Sequence, residues 1–283
     1  MNEFDFTQAQ DQAAALEQLA GTASVVPLAG GTNLLVNLKR APLEADLVVD
    51  LSRVASLNSI TEDDNGVRLG CGVTFAQILE WQPGGVVETL MQPMAAAFAG
   101  PLIRNLATIG GNLCDASPAA DVSPPLLALD ASVKLESAGN ASRVLTLEEF
   151  FQGVRQTALR SDELLTSIEI PQPDASDQAY YYKLGKRKAD AIAIVSVAIV
   201  LRRESDQVQH IRIALGAVAA VALRAHEAEA KLLGHELSAS SIDAAAAAAA
   251  AEASPIDDFR ASAAYRRRMV EVLVRRGLEQ IAA

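Results

Sequence analysis

The two stretches best equipped for chemistry are each built around a glycine pair. The first, Leu28-Ala-Gly-Gly-Thr-Asn-Leu-Leu35, follows an apolar run and puts Ala29, Gly30, Gly31, Thr32, Asn33 and Leu34 at a sharp turn. Successive glycines let a backbone turn tightly and aim consecutive N–H groups into one concavity, which binds phosphate without a basic side chain. The second, Ala107-Thr-Ile-Gly-Gly-Asn-Leu-Cys-Asp-Ala-Ser-Pro-Ala-Ala-Asp121, repeats the pattern at Thr108, Gly110, Gly111 and Asn112 and ends on the acid Asp121. Its hydroxyl, amide and carboxylate groups suit phosphate oxygens and polyol hydroxyls. Neither stretch is a Walker loop, because no Gly-Lys-Ser/Thr follows, and neither carries the GxGxxG dinucleotide fingerprint. Taken alone, each pair also serves as a plain strand–helix turn. Together they match a pyrophosphate, which takes N–H donors from two sides.

Composition narrows the partners. The 283 residues include 24 Lys and Arg against 35 Asp and Glu, a net charge of −11. That field repels a nucleic-acid backbone or an anionic membrane surface. Cys71 and Cys114 are the only cysteines, and His210, His226 and His235 the only histidines. These are too few and too scattered for an iron–sulfur cluster or a structural zinc site. Two distant cysteines read as reduced thiols rather than a disulfide framework. Residues 1–12 lack the basic and apolar regions of a signal peptide. The longest apolar run, 189–201, is interrupted by Asp190 and Ser196 and is too short to span a bilayer. The expectation is a cytoplasmic protein with no integral membrane segment.

The elements that must position these stretches follow from periodicity. Residues 8–19 have helical apolar spacing, 24–29 and 46–51 read as buried strands, and 32–39 as a short helix. Asn65-Gly66 marks a turn before a strand at 67–69. Thr74, three residues before Gln77, resembles a capping box opening a helix over 74–81. A helix over 86–99, a break at Gly100-Pro101 and strands at 131–136, 143–146 and 163–170 follow. Pro171 to Asp177, with two prolines and small polar residues, is the best linker. Beyond it, strands at 180–184, 192–202 and 209–218 suit an antiparallel meander, and helices are expected over 221–233, 239–253 and 262–281. Eight consecutive alanines from Ala244 to Ala251 read as a helix packed closely on a sheet. At roughly 150 residues per domain, the length suggests two domains.

Six segments in this order carry a resemblance: Pro27-Leu-Ala-Gly-Gly-Thr-Asn, Pro101-Leu-Ile-Arg-Asn, Thr108-Ile-Gly-Gly-Asn, Ala116-Ser-Pro-Ala-Ala-Asp-Val-Ser-Pro124, Glu163-Leu-Leu-Thr-Ser-Ile-Glu-Ile-Pro171 and Tyr182-Lys-Leu-Gly-Lys-Arg187. They resemble the medium, FAD-binding subunit of the molybdenum hydroxylases, the family of xanthine dehydrogenase and carbon monoxide dehydrogenase. The resemblance implies an α+β fold. Its FAD-binding domain, of the vanillyl-alcohol-oxidase type, would span 1–173, with subdomains of about 1–55 and 56–173. A small α+β domain with a three-stranded antiparallel sheet would span 178–283. By the same resemblance, residues 29–34 and 108–112 hold the FAD diphosphate. Asp121 meets the polyol or ring region, Leu165 packs on the flavin, and Lys183 lies near it, where a cation favours an anionic reduced form. Arg104 and Asn105 either shape the turn before the second glycine pair or touch cofactor. Cys114 either approaches the cofactor or acts as a spacer. The segment 186–190 falls beside the ring, as a gate or as a plain charged hairpin.

The implied role is electron transfer within a heterotrimer, assembled as a dimer of heterotrimers. A large partner carries a molybdopterin-type molybdenum cofactor and a small partner carries two-iron–two-sulfur clusters, while this chain carries FAD and no catalytic residue for substrate oxidation. A stand-alone FAD-dependent oxidase or reductase would need a proton-transfer residue near the ring, and the first 173 residues contain no histidine. A cofactor-free binding or assembly protein would not need both glycine pairs. Flavin content separates the last reading from the others, and co-purifying chains separate the first two. The substrate and the electron acceptor are open at this level.

Overall fold

A computed structural model describes residues 4–21, 23–42, 44–187 and 190–283. The chain opens with β1 (Asp5–Gln8), α1 (Gln12–Leu19), β2 (Val25–Leu28), α2 (Leu34–Leu38) and β3 (Leu47–Asp50). These strands form a parallel sheet in the order β1-β3-β2. The helix expected from residue 8 starts four residues later because the Asp11 carboxylate accepts the Ala14 N–H at 2.8 Å and caps α1. That frees residues 5–8 to pair with β3 as an edge strand, which their polar sequence hid.

A second sheet takes β4 (Ile60–Asp63), β5 (Gly66–Gly70), β6 (Ser132–Ser137), β7 (Ser142–Thr146) and β10 (Glu163–Pro171) in the antiparallel order β4-β5-β10-β6-β7. Between β5 and β6 lie α3 (Phe75–Glu80), α4 (Gly85–Ala97), α5 (Pro101–Arg104), α6 (Ile109–Cys114) and α7 (Ser123–Ala128). The Thr74–Gln77 capping box forms as expected and starts α3. Phe98, just past α4, stacks on Phe75 with ring centroids 3.7 Å apart. Between β7 and β10 come α8 (Leu147–Phe150) and the small hairpin β8 (Phe151–Gly153) and β9 (Gln156–Thr157).

The C-terminal part holds β11 (Gln178–Gly185), β12 (Ala193–Glu204), β13 (Gln207–Gly216) and β14 (Leu223–Arg224), followed by α9 (His226–Ala230), α10 (Ala239–Glu252) and α11 (Ala263–Ala282). Its antiparallel sheet has four strands, not the three expected, because β14 joins the edge of β13. The helix expected over 221–233 thereby shrinks to α9. Sheet pairing and a buried ion pair outweigh the helical propensity of this alanine-rich stretch. Arg224 donates to Glu229 at 2.6 and 2.7 Å, and Glu229 Oε1 accepts the Ile213 N–H at 2.7 Å.

The run Ala193 to Leu201 is buried without a break because both faces of β12 are covered. Ala198, Val200 and Ala214 face the N-terminal core, while Val197, Ile199, Ile213 and Leu215 face α9–α11. Ala245, Ala246 and Ala249 let α10 lie close on that second core. Among the described residues, no helix is long and apolar enough to cross a membrane.

Candidate functional site

The first glycine stretch leaves β2 after Leu28, whose carbonyl still accepts the Leu51 N–H at 2.9 Å. Gly31 takes φ +66°, a left-handed turn that suits glycine. Helix α2 then begins with Leu35 N–H on Gly31 O and Asn37 N–H on Asn33 O, both 2.9 Å. The backbone N–H groups of Gly30, Gly31, Thr32, Asn33 and Leu34 donate to no group among the described residues. Five successive donors at a glycine turn and a helix start are thus left unused, the kind of donor row an anion can take up.

The second stretch lies directly against the first. A Cβ built on Gly30 would sit 1.8 Å from Leu106 O and 3.1 Å from Ala107 Cα, so the two loops meet backbone to backbone. Here the N–H groups are already engaged. Ile109 donates to Val73 O at 2.8 Å, Gly110 to Cys71 O at 2.9 Å, Gly111 to Thr108 Oγ1 at 3.0 Å and Asn112 to Thr108 O at 3.0 Å. The second glycine pair is the capped first turn of α6, and Gly110 serves close approach, because a Cβ there would lie 2.5 Å from Cys71 Cβ. Backbone donors therefore come from one side, where the sequence suggested two. The side chains this stretch adds are the Thr108 hydroxyl, which caps α6, and Asn112, whose buried Oδ1 has no partner.

The third part of the site joins both halves of the chain. Asp121 Oδ2 accepts from Lys183 Nζ at 2.6 Å, with the two side chains only 8% and 5% exposed. Lys183 Nζ also donates to Ala97 O at 2.9 Å. Burial pushes the Asp121 carboxyl up to about 6 against the opposing charge of Lys183. Its Oδ1 is buried and unpartnered. Tyr181, two residues before Lys183 on β11, is a further member that the sequence reading missed. Its hydroxyl is buried without a partner and is held well above the usual tyrosine range by burial and by the Asp121 charge. The two-residue strand period was the signal that places Tyr181 on the same face as Lys183.

The remaining expectations resolve as follows. Arg104 shapes the loop: its Nη1 donates to the carbonyls of Ala96, Phe98 and Ala99 at 3.0–3.1 Å. Leu165 is fully buried in β10, one residue from Thr166, whose carbonyl takes the Cys71 N–H at 3.0 Å. It belongs to the N-terminal core. Burial holds the Cys71 thiol far above its usual range and pushes Cys114 up to about 12, so neither presents a thiolate. In the segment 186–190, Lys186 Nζ donates to Phe259 O, while Lys188 and Ala189 lie outside the described residues. No group of three metal-ligating side chains occurs among the described residues. Two surface clefts, one lined by Arg68, Asp130 and Glu169 and the other by Asp174, Arg202 and His210, involve neither glycine stretch.

These features coincide with what comparison finds. Residues 2–173 match the FAD binding domain in molybdopterin dehydrogenase, and residues 180–281 match the CO dehydrogenase flavoprotein C-terminal domain. The glyceraldehyde dehydrogenase medium chain of Sulfolobus acidocaldarius is 32% identical over 280 residues, covering 99% of both chains. The carbon monoxide dehydrogenase medium chain of Hydrogenophaga pseudoflava is 31% identical over 94% of this chain and 91% of its own length. A chain of reconstituted CO dehydrogenase from Oligotropha carboxidovorans superposes with a TM-score of 0.92 at 29% identity, covering 98% of this chain and 97% of that one. With both domain models matched along its length and relatives above 30% identity over nearly the whole chain, the chain belongs to the FAD-binding medium-subunit family of the molybdenum hydroxylases.

Proposed function

We propose that this chain is the electron-transfer subunit of a heterotrimeric molybdenum hydroxylase, assembled as a dimer of heterotrimers in the cytoplasm. It receives electrons from two-iron–two-sulfur clusters on a small partner and delivers them to an external acceptor. Substrate is oxidised on a large partner that carries the molybdopterin-type cofactor. The proposal includes the vanillyl-alcohol-oxidase-type arrangement of the first 173 residues, with subdomains meeting near residue 55, and a second domain from residue 178.

The observation that carries the reading is the run of five N–H donors from Gly30 to Leu34 left unused among the described residues, in a loop that touches the start of the second glycine stretch at Leu106 and Ala107. A diphosphate needs donors there and no cation. FAD, when bound, takes electrons one at a time from clusters and gives them up in pairs, which links the two kinds of partner. The chain's own residues fit that group. Gly30 to Leu34 hold its phosphates, Thr108 and Asn112 supply hydroxyl and amide groups, and the unpartnered Oδ1 of Asp121 accepts from a polyol hydroxyl. Lys183 contributes a fixed positive charge in a site sealed from water, where charge acts strongly. Leu165 supports the site from the core. The first 173 residues contain no histidine, so this chain brings no obvious base for oxidising an organic substrate.

The test is affinity capture of the tagged chain from its native cells, with FAD, iron and molybdenum quantified on the captured material. Recovery of a large and a small chain with all three cofactors is expected. Recovery of this chain alone, flavin-loaded and metal-free, sinks the reading in favour of a stand-alone flavoenzyme. Recovery without flavin sinks it in favour of an assembly protein.

A further inference from the structure

Arg266, in α11 of the C-terminal part, is 1% exposed and is among the largest fully buried side chains of the protein. A guanidinium is costly to bury unless its hydrogen bonds are met. Its Nη2 donates to Asp258 Oδ1 at 2.6 Å and its Nη1 to Ala217 O at 2.8 Å, while its buried Nε is left without a partner. Ala217 is itself unusual. It takes φ +63°, a conformation that residues with a Cβ rarely adopt. Both sides of this residue are tied down: the carbonyl by Arg266 and the N–H by Pro118 O at 2.9 Å. The neighbouring Gly216 lies so close to Pro124 that a Cβ there would stand 2.7 Å from its Cγ. Pro118 belongs to the turn closed by Ala120 N–H on Ser117 O at 2.9 Å, and that turn carries Asp121. The C-terminal part therefore grips the turn twice, at Asp121 through Lys183 and at Pro118 through Ala217 and Arg266.

We propose that Arg266 is a positioning residue for the cofactor site: by holding Ala217, which holds Pro118, it sets where the Asp121 carboxylate stands against Lys183. This rests on the FAD reading. The chain Asp258–Arg266–Ala217–Pro118 makes the geometry of the Asp121–Lys183 pair depend on the two hydrogen bonds of the Arg266 guanidinium. Breaking those bonds moves the carboxylate and weakens the polar hold on FAD, whereas lost packing elsewhere on α11 does not.

Four proteins test this: wild type, Arg266→Lys, the milder Asp258→Asn, and Leu278→Ala. Leu278 is a fully buried apolar residue of the same helix with no link to Pro118, so its truncation loosens α11 by packing alone. Each is measured for melting temperature, for FAD affinity by flavin fluorescence, for flavin midpoint potential and for amide exchange at Ala119, Ala120 and Asp121 in the apo chain. Arg266→Lys and Asp258→Asn are expected to weaken FAD by about fivefold or more, to shift the potential and to raise exchange in the turn. Leu278→Ala is expected to lower the melting temperature and leave these readouts at wild-type values. The proposal is overturned if Arg266→Lys behaves like Leu278→Ala, losing thermal stability with potential and turn exchange unchanged. A wild-type chain that takes up no FAD removes the FAD reading, while amide exchange in the apo proteins still decides whether Arg266 holds the turn.

Discussion

Gly30→Ala puts the whole idea of a cradle made by touching loops at risk. The new Cβ would stand 1.8 Å from Leu106 O and 2.5 Å from its carbonyl carbon, both rigid backbone atoms. Ordinary contact begins near 3.4 Å, so the loops would have to part by roughly 1.6 Å. Overpacking of this kind costs about 1–3 kcal/mol of stability. The effect on binding comes from the N–H row that starts at Gly30. Losing one hydrogen bond to a charged phosphate is worth about 1.5–3 kcal/mol, roughly a 10- to 150-fold loss of affinity. The assay is titration of the apo chain with FAD, followed by flavin fluorescence, beside a thermal melt. Gly100→Ala is the control, since nothing lies within 4 Å of a Cβ at that position, and it should leave FAD affinity unchanged. A Gly30→Ala chain that binds FAD within twofold of wild type would refute the placement of the diphosphate at this contact.

Three other outcomes follow from the structure. Glu229→Leu leaves the buried Arg224 guanidinium with Asp130, at 3.1 Å, in place of its closer carboxylate, and should cost up to about 3 kcal/mol, the low end for breaking a buried pair, in a urea-unfolding experiment; a loss under about 1 kcal/mol would show that the pair contributes little. Hydrogen bonds from Arg143 hold Glu163 below the usual carboxylate range, those from Ser176 hold Asp174 down to about 2, and those from Arg260 hold Asp258 low. Stability from these depressed groups is present above the unfolded carboxylate range and is lost as pH falls through their folded values. Asp121 has the opposite sign: raised from 3.8 to about 6, its stabilising effect is complete below pH 4 and is lost as pH rises to about 6. Carbon-13 titration of the apo chain should find Asp121 ionising later than Glu163 and Asp174, and an Asp121 that ionises with them contradicts its burial beside Lys183. Finally, the Cys71 thiol should resist alkylation in the native chain and react only on unfolding, because it is buried and held protonated; fast labelling of Cys71, beside half-buried Cys114 as the internal comparison, would show that the Cys71–Gly110 contact opens.

Both glycine pairs, the capping box at Thr74 and the end of the strand at Pro171 are local features, and each was legible in the residue string. The acid and the cation of the site were legible too, as members of separate motifs. Their pairing was not, because Asp121 and Lys183 are 62 positions apart and lie on either side of Pro171. Tyr181 was overlooked for a related reason, since a tyrosine in an apolar strand looks like core until its hydroxyl is found beside a buried carboxylate. Edge strand β1 and the fourth C-terminal strand β14 were hidden because a two- to four-residue strand has no periodicity of its own and exists only through its partner.

What the sequence determined by itself was the stock of local structure. It set where the backbone turns without a Cβ and where helices are capped. Tertiary structure decided which of two similar glycine pairs keeps its N–H groups free. Thr108, Val73 and Cys71 occupy the donors of the second pair, whereas none of the described residues takes those of the first. Hydrogen-bond partners are assigned by contacts between distant segments, so two motifs alike in sequence end with opposite roles: one as the open cradle and the other as the wall it leans on.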